Sequence, residues 1–209
     1  MNRDRGLGLW AVVTLALAPL LLLALALAAC GHSGTSSVAP TQAALPTWAP
    51  DASPSPAYTV TDQVGTTQAF NNVKCDGMDF TPLVDVEVSA LAFFDGNGDG
   101  LRASHKVGIF DRDSKEQVLG ALIAPDSTLE GTFRWESVEP VVLEAGKTYV
   151  VVGECDKPYD EEVRGRGDWA PELKSGRFWW AWSWKCPEGA EYGPRWVSSN
   201  FKFKPVSAP

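Results

Sequence analysis

The run Asp95-Gly96-Asn97-Gly98-Asp99-Gly100 places side-chain oxygens at alternate positions and ends on a glycine. It is the first half of a calcium loop of the D-x-[DN]-x-[DN]-G kind. There, oxygen ligands curl round one hard cation and the glycine permits the sharp turn. The closing glutamate of such a loop would fall at position 106, which is Lys106. Asp111 or Asp113 would then have to complete a shell round Ca²⁺ on Asp95, Asn97 and Asp99. The same residues also suit a plain Gly/Asn/Asp turn between strands, which needs no metal. Both readings stand, and the half motif favours the turn.

Arg177-Phe178-Trp179-Trp180-Ala181-Trp182-Ser183-Trp184-Lys185 is the other unusual run. On a strand, Phe178, Trp180, Trp182 and Trp184 share one face, and Trp179, Ala181, Ser183 and Lys185 share the other. A row of exposed indoles stacks on sugar rings. A buried row is core, and each buried tryptophan removes roughly 150–250 Å² from water. The small and polar opposite face favours core. Trp169, Tyr159, Tyr192 and Trp196 lie near Gly/Pro turns and are the better candidates for exposed, ligand-binding aromatics.

Other chemistry is thinly represented. His105 is the only histidine outside the N-terminal region, which excludes His-rich zinc sites, and it reads as a hydrogen-bonded histidine at a strand start. GxSxG, HExxH, P-loop and Rossmann glycine patterns are absent from the sequence. The acidic Asp156, Asp160, Glu161 and Glu162 read as a solvated loop. Paired carboxylates in a cleft would serve glycoside hydrolysis, the least favoured reading.

The start of the chain decides where these residues work. Arg3 and Arg5 precede an apolar run from Leu7 to Leu27, and Leu27-Ala28-Ala29-Cys30 follows. A charged start, an apolar stretch and small residues form a secretory signal. The cysteine makes it resemble a bacterial lipobox. That resemblance implies that Cys30 becomes the acylated N-terminus of an extracytoplasmic, membrane-anchored protein. An uncleaved anchor is the alternative, since roughly 20 apolar residues span a bilayer.

Removing Arg3, Asp4 and Arg5 takes the net charge of −8 to about −9. An acidic domain of this kind lacks the basic patch that nucleic acid or anionic headgroups require. An exported chain meets an oxidising compartment, so one disulfide is expected among Cys75, Cys155 and Cys186. Cys155–Cys186, closing a loop of about 30 residues, is the leading pair, and a bridge to Cys75 is the alternative.

The elements that would position these groups are strands. Residues 1–29 are the signal, and 30–57, rich in Ser, Thr, Ala and Pro, form a disordered tether. Residues 58–206 are the domain. Val84, Val86 and Val88 alternate with Asp85, Glu87 and Ser89, a half-buried strand. Further strands are expected at Lys106–Phe110, Gln117–Ile123, Thr132–Val138, Lys147–Glu154, Arg177–Lys185 and Val197–Lys204. No stretch holds a helical period. About eight such strands predict an all-β, antiparallel, jelly-roll-like sandwich.

Val88–Asp95, Gly98–Leu101 and Ser104–Asp111 together resemble an exported bacterial β-sandwich domain of unknown function. So do Gly131–Trp135, Val142–Val150 and Asn200–Phe203. That domain is often found in proteins with the PEP-CTERM sorting signal. The resemblance covers roughly 78–204 and implies fold and location alone. This chain departs from it in carrying a lipobox and a Trp- and acid-rich stretch. The sequence therefore predicts a monomeric, non-catalytic binding module, facing glycan or envelope polymer. A purely structural lipoprotein without ligand is the alternative.

Overall fold

The structure is a computed structural model and describes residues 52–68, 75–155, 161–191 and 196–206. The lipobox cysteine Cys30, Tyr159 and Tyr192 lie outside the described residues, as do Asp156 and Asp160.

The fold is all-β and antiparallel, a sandwich as expected, but with more strands than eight. They are β1 (Ser55–Pro56), β2 (Tyr58–Gln68), β3 (Cys75–Pro82), β4 (Val86–Phe94), β5 (His105–Asp111), β6 (Gln117–Ile123) and β7 (Thr128–Glu130). There follow β8 (Phe133–Leu143), β9 (Tyr149–Glu154), β10 (Glu161–Trp169), β11 (Leu173–Ala181), β12 (Gly189–Glu191), β13 (Trp196–Val197) and β14 (Ser199–Pro205). One sheet runs β1-β14-β4-β8-β7, a second β12-β11-β3-β9-β5-β6, and a three-stranded sheet β13-β10-β2.

Alternation in sequence decides which faces meet. Val86, Val88, Leu91 and Phe93 of β4 join Phe201 and Phe203 of β14 from the first sheet. Val107, Ile109, Tyr149, Val151 and Phe80 join them from the second, in one apolar core. The change of phase between Val88 and Leu91 is a β-bulge, because the register with β8 shifts between Val88 and Ala90. At roughly 25 cal/mol per Å² of apolar surface, this core is the main stabilising term.

Three features differ from the sequence reading. Folding begins before residue 58: Ser55 and Pro56 pair with Phe203 and Lys202, and Ala57 is buried. Asn200 fixes this entry, accepting from the Tyr58 N–H at 3.2 Å and donating to the Tyr58 carbonyl at 2.7 Å. Glu161 and Glu162 are not loop but the start of β10, paired with Gln68 and Thr67 of β2. The tryptophan strand starts earlier and stops earlier than expected, at Leu173 and Ala181.

Candidate functional site

The aromatic run does not form one face of one strand. Phe178 and Trp180 face the interior, Phe178 opposite Met78 and Trp180 opposite Asp76 of β3. They pack with Met78, Tyr58 and Phe94. The opposite face is also covered, contrary to its small, polar composition. Trp179, Ala181 and Trp184 pack with Cys75, Phe110, Val150 and Val152. The chain leaves β11 after Ala181 and folds back over the outer face of the six-stranded sheet. Residues past the strand end thus supply the cover that a strand's own alternation cannot.

Each outer indole is held by specific partners. Trp179 Nε1 donates to Asp79 Oδ2 at 2.8 Å, and the Arg112 guanidinium lies 3.8 Å from the centre of its ring. Trp184 Nε1 donates to Gln117 Oε1 at 3.0 Å, and its ring meets Phe110 edge-on at 5.8 Å. Gly108 makes room for it: a Cβ there would stand 3.1 Å from Trp184 Cζ2. Arg112 also donates to Cys186 Sγ at 3.3 Å and, over a short contact, to the Pro187 carbonyl. One arginine therefore pins the returning segment at two points.

Trp182 is different. It is 58% exposed, and its ring stands edge-on to Trp180 at 4.9 Å, with an interplanar angle of 74°. Trp180 is half-buried, and its indole N–H has no hydrogen-bond partner among the described residues. The row expected to be core thus has one member in solvent, because the strand has ended before it.

The sequence-predicted aromatics fare unevenly. Trp169 is not an exposed ring: it is half-buried, stacked on Phe80 at 5.9 Å and edge-on to Tyr58 at 5.8 Å. The turn that follows it folds back, since the Ala170 N–H donates to the Ala57 carbonyl at 2.9 Å. Trp196 sits in β13, opposite Arg164 of β10.

The half calcium loop is built as a turn round an arginine. Asp95 is buried, and its Oδ2 lies 2.6 Å from Arg134 Nε. The same oxygen accepts from the Gly100 N–H at 3.2 Å. Gly98 and Gly100 take φ of 67° and 99°, the left-handed region that favours glycine. Asn97 and Asp99 point outward, exposed. Among the described residues no group of three or more His, Cys, Asp or Glu side chains could hold a metal ion. The cation that compensates Asp95 is the Arg134 guanidinium, which the spacing rule did not weigh.

The expected disulfide is corrected. Cys75, Cys155 and Cys186 are all buried thiols, and none is disulfide-bonded. The physical reason is topological. β3 lies between β9 and β11, and the returning segment carries Cys186 to Arg112. Cys186 packs in the outer apolar cluster with Cys75, Phe110 and Val152, a cluster that does not include Cys155. Cys75 Sγ instead donates to the Ser183 carbonyl at 3.2 Å. Burial pushes this thiol up from 9.0 to about 11.

His105 is fully buried at the start of β5. Its Nδ1 is 2.7 Å from the Glu154 carbonyl, and its ring stacks on Phe93 at 3.9 Å. This is the hydrogen-bonded strand-start histidine that the sequence suggested.

No protein-family model matches this chain, and no curated protein matches it either.

Proposed function

We propose that this chain is a lipid-anchored, extracytoplasmic β-sandwich that binds glycan or envelope polymer through Trp182. The observation that carries the reading is the 58% exposure of that indole on a fixed support. The preceding residue, Ala181, is buried and paired with Cys75, and Trp180 buttresses the ring from the side. A broad apolar face held still in water is the element that stacks on the C–H face of a sugar ring at little entropic cost. The anchor rests on the lipobox at Cys30, which would carry the acyl chains.

A ligand-free structural role is the second reading. The packing of Trp179 against Arg112 and of Trp184 against Gln117 favours it, because those indoles are occupied internally. One experiment separates the two. The full chain in non-ionic detergent is titrated with purified envelope polysaccharide while tryptophan fluorescence is followed. Binding reads as a saturable shift that Trp182→Ala abolishes and Trp182→Phe keeps in part. Absence of any shift with wild type supports the structural role.

A further inference from the structure

We infer that the end of the sandwich where the chain enters β1 rests on a zwitterionic lipid bilayer through Leu83 and Val206, with Trp182 at the opposite end. The inference rests on the acyl-anchor reading of Cys30 and does not need the glycan reading.

The strand register fixes the point of entry. β1 is antiparallel to β14, with Ser55 opposite Phe203 and Pro56 opposite Lys202. The chain therefore arrives at Ser55 from the side of Lys204 and Pro205. Pro205 lies opposite Val86, at the start of β4. Backbone hydrogen bonds gather the neighbouring turns at this end. The Val206 N–H donates to the Asp85 carbonyl at 2.8 Å, the Leu83 N–H to the Glu172 carbonyl at 2.8 Å, and the Gly146 N–H to the Pro82 carbonyl at 2.9 Å.

Leu83 and Val206 stand in water here, 47% and 38% exposed. Val142, 49% exposed, lies opposite Glu87, one position in from the same end. Singly exposed aliphatics are ordinary. What sets these apart is their place beside the incoming chain. The acidic groups around them are met locally. Glu144 pairs with Lys147 at 2.7 Å and Glu87 with Lys204 at 3.0 Å, and the Asp85 carboxylate accepts from the Ala145 N–H at 2.7 Å. A chain of net charge −8 is repelled by anionic headgroups, so the lipid that fits is zwitterionic and the contact apolar.

A few aliphatic side chains hold a bilayer weakly by themselves. Acylated Cys30 removes that difficulty. It lies roughly 25 residues before Ser55, and each residue spans at most about 3.6 Å. The anchor thus keeps the domain at a high local concentration beside the lipid, where a weak contact suffices. Trp182 lies at the other end. It follows Ala181, which pairs with Cys75, and Cys75 pairs with Glu154, at the opposite end of β3 from Pro82.

The test uses the full acylated chain reconstituted in phosphatidylcholine vesicles. An environment-sensitive dye is placed on Leu83→Cys, Val206→Cys or Leu129→Cys, and unsubstituted protein serves as the blank, since Cys75, Cys155 and Cys186 are buried. Leu129 is the control: it is 41% exposed and pairs with Arg134, which pairs with Phe93, away from the Val86 end. Phosphatidylcholine carrying a headgroup nitroxide should quench the dye at 83 and 206 and leave it bright at 129. Adding Leu83→Asp should restore emission at 206 while the protein still floats with the vesicles. Equal quenching at all three sites overturns the proposal, as does none at 83 and 206, or quenching at 206 that survives Leu83→Asp. Flotation with any of these results leaves the anchor standing. Failure to float, with no fatty-acid label on Cys30, overturns the anchor and this proposal with it.

Discussion

Arg134 Nε lies 2.6 Å from Asp95 Oδ2, with the two side chains 12% and 3% exposed. Arg134 Nη1 also donates to the Ser127 carbonyl at 2.9 Å. One guanidinium thus ties the Asp95–Gly100 turn to the turn between β6 and β7. A pair this well buried is held by geometry and hydrogen bonds, and removing one partner leaves an uncompensated charge.

Arg134→Met should therefore destabilise the protein by about 3–5 kcal/mol, read as a shift of the urea midpoint. Calcium and chelator should give superimposable melting curves for wild type, because the Asp95 charge is already met. A calcium-dependent rise in melting temperature would return the loop to the metal reading, through RT ln(1 + [L]/Kd).

Asp79 organises the bulge in β11. Its carboxylate accepts from the Arg177 N–H over a short contact and from Trp179 Nε1 at 2.8 Å. The register of β11 with β3 shifts between Ser175 and Phe178. Asp79→Ala removes the acceptor of two part-buried hydrogen bonds and should cost about 1–2 kcal/mol. Gly176→Ala should also destabilise, because its Cβ would meet the Asp79 carboxylate that the bulge holds in place. A melting temperature unchanged in both variants would remove Asp79 from this role.

The raised thiol of Cys75 gives a signed pH dependence. Its folded value is about 11 against 9.0 unfolded, so the unfolded chain loses this proton first as pH rises. Between pH 9 and 11 the native state holds more protons, and stability falls by up to about 1.4 kcal/mol per pH unit. Below pH 9 the site contributes no slope. Cys75→Ala should flatten that part of the profile, and denaturant melts of the two proteins at pH 8, 9 and 10 measure the difference. Parallel profiles would show that the thiol is not the source.

Where the sequence reading succeeded, one physical signal dominated. Gln117–Ile123 is β6 as expected, and the alternation at Val86 and Val88 is the core face of β4. Period-two patterning survives because each side chain's face follows from its position alone. The misses arise where a distant partner decides. Nothing near Asp95 in sequence announces Arg134, so spacing alone favours a plain turn without saying what holds it. The Cys155–Cys186 pair looked natural from proximity in sequence, but the insertion of β3 between β9 and β11 is long-range. Glu161 and Glu162 looked like solvated loop, yet they begin a strand because β2 offers a ladder. The tryptophan run was legible as unusual, but alternation was extended past Ala181, where the strand ends.

That end point yields the sharpest contrast. Sequence patterning sets Phe178 and Trp182 on one face, which predicts similar costs for truncating either. In the structure Phe178 is 8% exposed and Trp182 58%. Phe178→Ala should cost about 3–5 kcal/mol, as large-to-small core changes do. Trp182→Ala loses the edge contact with Trp180 and little else, so it should cost less than about 1.5 kcal/mol. The domain has roughly 5–15 kcal/mol in all, so the first variant should express poorly and the second normally. Thermal melts of the two purified variants decide it. Equal, large destabilisation would place Trp182 in the core and withdraw the binding surface built on it.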